Sequence, residues 1–563
     1  MKKNIAQLYM LLMGLTFAFA ANAVAQVSDA EKSAAQQINE TTIRSHIQFL
    51  SDDLLEGRAP GTRGGQLGER YIATQFELLG LTPGAKGAGN GAASWYQTFD
   101  ILGVTSNVPK TMTLKSGAKM LDLKFWDDFI AFTGEQKPTA VVKDAEIVFV
   151  GYGIEAPEQK WDDYKGVDVR GKILLMMNND PSNDPNLFAG KTRLYYGRWT
   201  YKYEIAARKG AAGAIIIHTV PSAGYKFQVV QSSWTGEQFE LPQTSNAPTV
   251  KIKAWTTDEA SKQIALLGGK NLDELRAKAE RRDFKPVPLG VMLSLEMTNN
   301  IRSLKTANVV GVLPGRDRAL SKEYVVYSAH HDHLGVGTPA NGDSIYNGAV
   351  DNASGTAAML AIAEAFTRMP AEQRPRRSIM FAAVAAEESG LLGSQKFCVD
   401  PPVAPGYLVA NINIDGLNLI GRTKDLAIVG IGKSSMDQVV KDVAAWQGRV
   451  VEGDQFPDKG FFYRSDQFNF AKIGVPATYC DPGTEVLGKP AGWGKEQVEK
   501  WEATKYHQVS DEYEDSWNFE GAVEDTQLLF LVGLKVSNAE AMPSWVPGDE
   551  FEAARKKAVA ERK

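Results

Sequence analysis

Residues 324–355 read YVVYSAHHDHLGVGTPANGDSIYNGAVDNASG. The opening run YVVYSA, rich in β-branched and aromatic residues and free of charge, has the composition of a buried central strand. His330 stands where that strand ends, the place where function gathers in open α/β sheets. Side chains alternate along a strand, so His330 and Asp332 fall on one side and His331 on the other. A metal-ligating imidazole commonly donates its second N–H to a carboxylate, which makes His330 with Asp332 behind it a coherent ligand pair. Taken alone, HHDH reads equally well as a polar loop.

The same pattern recurs along the chain. SIMFAAVAA, residues 378–386, runs into Glu387 and Glu388, and LVANINI, residues 408–414, runs into Asp415. Farther on, TKYHQVSDEY offers His507. With Asp351, these supply two imidazoles and several carboxylates, enough for two metal ions.

The ordered set SAHHDHLG, NGAVDNASG, AAEESGLLGS, NINIDG, RSDQFNFAKIGVPA and KYHQVSD resembles the dinuclear zinc exopeptidases, a family of aminopeptidases, glutamate carboxypeptidase II, glutaminyl cyclases and the catalytically dead transferrin receptor. Motif by motif, the resemblance implies that His330 and Asp415 hold one zinc ion, that Glu388 and His507 hold the other, and that Asp351 bridges them. It makes Glu387 the general base, with Asp332 supporting His330, and it implies a cis peptide bond between Asp351 and Asn352. Tyr506 becomes a donor to the developing oxyanion, Asp466 a supporting acid, and Arg464 a contact for substrate backbone or carboxylate, or only a partner of Asp466. Phe461, Phe462 and Tyr463 either form an apolar pocket for the first side chain or belong to the core.

Composition is that of an ordinary soluble globular protein. The chain has 563 residues, too many for one core, with 44% apolar residues and a net charge of −5 from 62 Lys+Arg against 67 Asp+Glu. Such a balance lacks the basic surface that phosphate-backbone binding needs, so nucleic acid is not an expected partner. Residues 1–25 carry Lys2 and Lys3, a short apolar core, then Ala21, Ala23 and Ala25 at signal-cleavage spacing. They predict a cleaved signal peptide, a periplasmic or secreted protein, and no membrane anchor after cleavage. Cys398 and Cys480 are the only cysteines, and whether they pair stays open.

The expected fold is α/β: a doubly wound, mostly parallel sheet with helices on both faces, interrupted by a smaller β-rich α/β domain. The expected boundaries are the signal peptide at 1–25, the first part of the catalytic domain at 26–105, the insert at 106–298, and the main catalytic part at 299–563. Within the insert, EIVFVGYGI, WDDYKGVDVRGKILLMMN and YEIAARKGAAGAIIIH resemble the protease-associated domain found there in several family members. His46 reads as a packed or surface histidine, and His218 as a surface one. Tyr195, Tyr196, Trp199, Tyr201 and Tyr203 read as core of the insert, with an interdomain cleft as the alternative. GVGTPANGDSIYNGA reads as a loop, and the last fifteen residues as an exposed helix or frayed tail.

The predicted function is therefore hydrolysis of peptides by a two-zinc exopeptidase, in which the ions acidify a shared water and polarise the carbonyl. An aminopeptidase is the first expectation, because Arg464 is the one candidate near the motifs for a carboxylate anchor, whereas Glu387 and Asp415 can accept a terminal ammonium. The alternatives are a carboxypeptidase of the glutamate carboxypeptidase type, a one-zinc glutaminyl cyclase, and a dead receptor-like binding protein. The intact ligand set and Glu387 argue for an enzyme.

Overall fold

The run that opened the reading is a strand in the middle of a mixed sheet in the computed structural model, which describes residues 27–87, 92–181, 183–190, 192–243, 248–340, 342–454 and 457–562. The expected signal peptide lies outside the described residues. The catalytic sheet is built from β1 (Tyr96–Asn107), β2 (Val287–Leu313), β3 (Tyr324–His330), β4 (Ser378–Val384), β5 (Leu408–Asn413), β6 (Asp425–Ile428), β7 (Val450–Gly453) and β8 (Ala477–Pro482). Their spatial order is β1-β2-β4-β3-β5-β8-β6-β7. The four central strands β4, β3, β5 and β8 run parallel, and the antiparallel neighbours β2 and β6 flank them.

Register explains why the motifs meet. His330 pairs with Val384, and Ser328 with Asn413, so the three central strands finish together and release HHDH, EE and IDG at one edge. Each of these strands is buried, Tyr324 at the start of β3 alone being half-buried, as their unbroken apolar runs require. On one face the helices Gly355–Arg368, Met436–Trp446 and Glu520–Asn538 pack into a large core with Glu40–Leu50. Tyr327 and Phe366 belong to that core, and the Tyr327 hydroxyl donates to Leu529 O at 2.9 Å. On the other face Phe397 and Phe470, from Leu392–Val399 and Gln467–Lys472, cover Val326 and Met380. Helices therefore lie on both faces.

Residues between Thr111 and Met297 make their own strands and helices around two further apolar cores. Ile173–Met177, Gly213–His218 and Ile252–Thr257 pair in parallel there, and the helix Trp199–Arg208 leads into the second of them. The connection to the catalytic sheet is a ladder, with Tyr96 to Asn107 of β1 antiparallel to Thr298 to Val309 of β2. Upstream, β2 pairs with Thr139–Phe149, so one strand runs through both bodies.

Several local expectations change. The segment before residue 40 contains the helix Asp29–Ala35, started by a capping box between Ser28 and Glu31. The glycine-rich segment after HHDH is a hairpin, Gly335–Ala340 with Asp343–Tyr346. The last helix, Glu552–Ala560, is docked: Arg555 donates to Leu408 O at 2.7 Å and Arg562 to Gly406 O at 2.6 Å. Cys398 and Cys480 are free thiols. His218 is buried at 4% exposure among Tyr225, Phe227 and Trp255, because its strand is interior over its whole length, so it is a core residue and not a surface one. His46 is packed as expected, bonded to Tyr71 at 2.8 Å. Tyr201 and Tyr203 are core, while Tyr195 reaches across to Phe468, with ring centroids 4.8 Å apart.

Candidate metal centre

His330 Nε2 lies 3.2 Å from Asp351 Oδ1 and 3.2 Å from Asp415 Oδ1. His507 Nε2 lies 3.2 Å from Asp351 Oδ2 and 3.0 Å from Glu388 Oε2. The two carboxylate oxygens of Asp351 thus face different imidazoles, and all five ligand candidates read from the sequence converge. His330, Glu388 and Asp415 follow strand ends, and His507 follows the helix Trp493–Thr504 in a loop tied through Asp511 to Val350 and Asp351. Asp351 is delivered by a turn entering the helix Gly355–Arg368, with a cis bond between Asp351 and Asn352. Asn352 binds that turn to the Asp415 loop: its Nδ2 donates to Ile414 O at 2.9 Å, and its Oδ1 accepts from Gly355 and Gly416, each at 2.9 Å. A Cβ on Gly355 would lie 2.2 Å from Asn352 Oδ1, so this close crossing needs glycine.

These contacts fit a metal better than hydrogen bonds. For ligand bonds of about 2.0–2.1 Å in a zinc tetrahedron, neighbouring ligand atoms stand about 3.3 Å apart, close to the observed separations. His507 Nε2 is buried and in no aligned hydrogen bond, although two carboxylates lie within 3.2 Å of it. Burial opposes charge on His330, but Asp415 and Asp351 raise its pKa well above the usual value. Burial also opposes charge on His507, and Glu388 and Asp351 push its pKa up to about 10. The acids that hold a proton on each imidazole would hold a divalent cation in its place.

Around the ligands, Asp332 Oδ1 is 3.7 Å from His330 Nδ1 and accepts from the Glu387 N–H at 3.1 Å, while the Asp332 carbonyl lies 3.2 Å from the same ring nitrogen. Glu387 sits beside the cluster, and burial, then Asp415, Glu388 and Asp466, hold its carboxyl well above the ordinary range against the pull of His330. Tyr506 is 38% exposed and stacks on His507, with centroids 3.9 Å apart. Asp466 is fully buried and neither of its oxygens has a hydrogen-bond partner, so Arg464 does not pair with it. Arg464 is exposed instead and lies 5.0 Å over the Phe461 ring. Ser465, next along, donates to Asp415 Oδ2 at 2.6 Å. Of the two readings of Tyr463, substrate pocket or core, the structure takes the core one. It is 4% exposed, packs on Phe468 and Phe462, and donates its hydroxyl to Glu550 at 2.7 Å, because the turn Phe461–Tyr463 points it inward.

Sequence reasoning missed several members. His333 is buried, with Nδ1 2.6 Å from Glu388 Oε1. That is too short for two ligands of one zinc ion, and neither atom is in an aligned hydrogen bond, so the contact is an ion pair that would leave Glu388 Oε2 for the metal. Strand alternation put only His330 and Asp332 on the functional side, and the turn that brings His333 back was invisible to it. Asp511 accepts from the N–H groups of Val350 and Asp351 at 3.0 and 3.1 Å, and its place in KYHQVSD was the available signal. Arg198 is the third: its Nε is buried without a hydrogen-bond partner, and burial, then Arg464 and Arg193, lower its pKa to about 9. Arg193 ties this segment to the catalytic body through its N–H to Pro457 O at 2.9 Å.

Residues 308–531 match the model of Peptidase family M28. Aminopeptidase NAALADL1 of Rattus norvegicus is 35% identical over 112 residues, 20% of this chain and 13% of that protein. The probable glutamate carboxypeptidase AMP1 of Arabidopsis thaliana is 26% identical over 296 residues, 48% of this chain and 37% of that protein. The chain thus spans about an eighth to a third of the length of these relatives. An aminopeptidase from Aneurinibacillus sp. strain AM-1 superposes with a TM-score of 0.48 and 18% identity, covering 91% of this chain and 97% of that one. The segment that the Peptidase family M28 model matches, residues 308–531, is the one that carries every gathered ligand.

Proposed function

We propose that this chain is an exported two-zinc exopeptidase that removes N-terminal residues from peptides. One observation carries the reading: His330, Asp351, Glu388, Asp415 and His507 converge with Glu387 beside them. Bound there, a pair of zinc ions would polarise a peptide carbonyl and acidify a water. Glu387 then takes the proton of the attacking water and passes it to the nitrogen as the C–N bond breaks, leaving a carboxylic acid and a free amine. Tyr506, stacked on His507, donates its O–H to the oxygen that gains charge. Asp332 and His333 hold His330 and Glu388 in place. Glu387 and Asp415 are the acceptors for a substrate ammonium. The segment between Thr111 and Met297 serves as a protease-associated module that presents Arg198 towards Arg464. Export rests on the leader at residues 1–25.

A second reading, cleavage from the carboxyl end, is favoured by one specific observation. Arg464 is not alone: Arg198 stands near both it and Arg193, and clustered guanidiniums suit a carboxylate.

The test is zinc content together with hydrolysis of a leucyl dipeptide in free, N-acetylated and C-amidated forms. About two zinc ions per chain and loss of activity on the acetylated form are expected. One zinc ion per chain with no hydrolysis of any form would favour the cyclase alternative, and cleavage of the acetylated but not the amidated peptide would favour the carboxyl-directed reading. Asp351→Ala should lose both ions together, since each of its oxygens faces a different histidine.

A further inference from the structure

The motif EGRAPGT, residues 56–62, has no part in the chemistry above, yet its arginine lies directly under the ligand loops. Glu56, Gly57 and Arg58 all have positive φ, at 48°, 65° and 52°. A Cβ on Gly57 would stand 2.3 Å from Tyr346 O and 2.8 Å from Gly335 O, so the turn is pressed against the hairpin between the two ligand loops. On its other side the helix Arg63–Leu78 comes so close that a Cβ on Gly64 would lie 1.7 Å from Leu55 O. This packing drives the Arg58 side chain inward until it is 0% exposed.

Inside, the guanidinium meets backbone carbonyls from separate segments. Its Nε donates to His331 O at 2.9 Å, Nη1 to Asn347 O at 2.7 Å and also to Leu50 O, and Nη2 to Gly348 O at 3.0 Å. His331 lies between His330 and Asp332, and Gly348 comes three residues before Asp351. One planar group therefore sets the spacing between the loop of the first ligand and the loop of the bridging one. Among the described residues no carboxylate forms an ion pair with it. Burial opposes its charge and Asp332, Asp511, Asp351 and Glu388 favour it from a distance, while the fixed fork of donors is what lets one side chain reach carbonyls of three segments.

We propose that Arg58 is a positioning residue that preorganises the metal centre by tying the His331 and Asn347–Gly348 carbonyls to the end of the helix Glu40–Leu50. The inference rests on the zinc reading of the site but not on the direction of peptide cleavage.

The experiment is a zinc competition titration against a chelator, run with thermal denaturation of the zinc-free and zinc-loaded full chain, for wild type, Arg58→Lys and Arg58→Met. Lysine keeps the charge and loses the fork, and methionine loses both. Groups that orient metal ligands are worth about 10–100-fold in metal affinity, so both variants should release zinc at least about tenfold more readily. The rise in Tm that zinc produces should shrink in both, a change that general destabilisation would not cause. If Arg58→Met fails to fold, Arg58→Gln, which keeps a planar donor, takes its place in the same titration. Zinc held as tightly as in wild type by Arg58→Met or Arg58→Gln, with only a lower zinc-free Tm, would overturn the proposal. Retention of wild-type affinity by Arg58→Lys would do the same by making charge the reason. Absence of zinc binding by wild type would instead defeat the reading of the site, a distinguishable result.

Discussion

Among the described residues, two of the clusters of buried charge are built differently. In the segment between Thr111 and Met297, Asp163, Asp180 and Lys202 are each no more than 3% exposed. Lys202 donates to Tyr152 O and Asn179 O at 2.6 and 2.8 Å, Asp163 accepts from Ile154 N and Trp161 Nε1, each at 2.9 Å, and Asp180 accepts from Leu194 N at 3.0 Å. At the ends of β3, β4 and β5, Asp332 Oδ2, Glu388 Oε1, both oxygens of Asp466, both ring nitrogens of His333 and His507 Nε2 are buried without an aligned partner. A buried polar atom left unsatisfied costs about 1–3 kcal/mol, so the first cluster is a finished structural element and the second calls for a cation. Buried charge alone does not mark a site. Convergent lone pairs without donors do.

The largest effect that would sharpen this contrast is chemical. Glu387→Gln keeps the shape of the side chain but cannot accept a proton, so kcat should fall about 10²–10⁴-fold while elemental analysis finds unchanged zinc. Turnover near the wild-type rate would move the base elsewhere. A smaller effect is expected from Lys202→Met in the other cluster. It removes the donor to Tyr152 O and Asn179 O and should lower stability by about 1–3 kcal/mol in urea denaturation. Zinc content should not change, and a loss of zinc would break the separation between the clusters. The smallest effect concerns His46, whose burial lowers its pKa from 6.5 to about 4. Unfolded, it gains a proton below 6.5; folded, it stays neutral until about 4, so its contribution to stability is lost as pH falls through that window. With the ring partly exposed, His46→Phe should flatten the drop between those pH values by about 1–2 kcal/mol, and an unchanged slope would count against it.

Much of the centre was legible because its ligands follow strands. YVVYSAH, SIMFAAV and LVANIN are apolar throughout, and parallel strands that end in register must place His330, Glu387, Glu388 and Asp415 at one edge. Tyr463 stayed open between pocket and core because a short helical turn, which has no sequence period, decides which way its ring points. His218 was misread because a strand end need not be a surface. His333 and Asp511 were missed because their partners, Glu388 and the Val350 and Asp351 amides, are set by turns and not by strand alternation.

The sequence by itself determined the strands, the helix stripes and the residues able to bind metal, since each depends on local periodicity and side-chain chemistry. Only the tertiary structure decided that Asp351 offers one oxygen to each histidine, that Arg198 comes near Arg464, and that Arg58 links the carbonyls of Leu50, His331 and Gly348. Those contacts join residues up to about 300 positions apart, and their geometry follows from where whole elements come to rest in the packed chain, which no local pattern encodes.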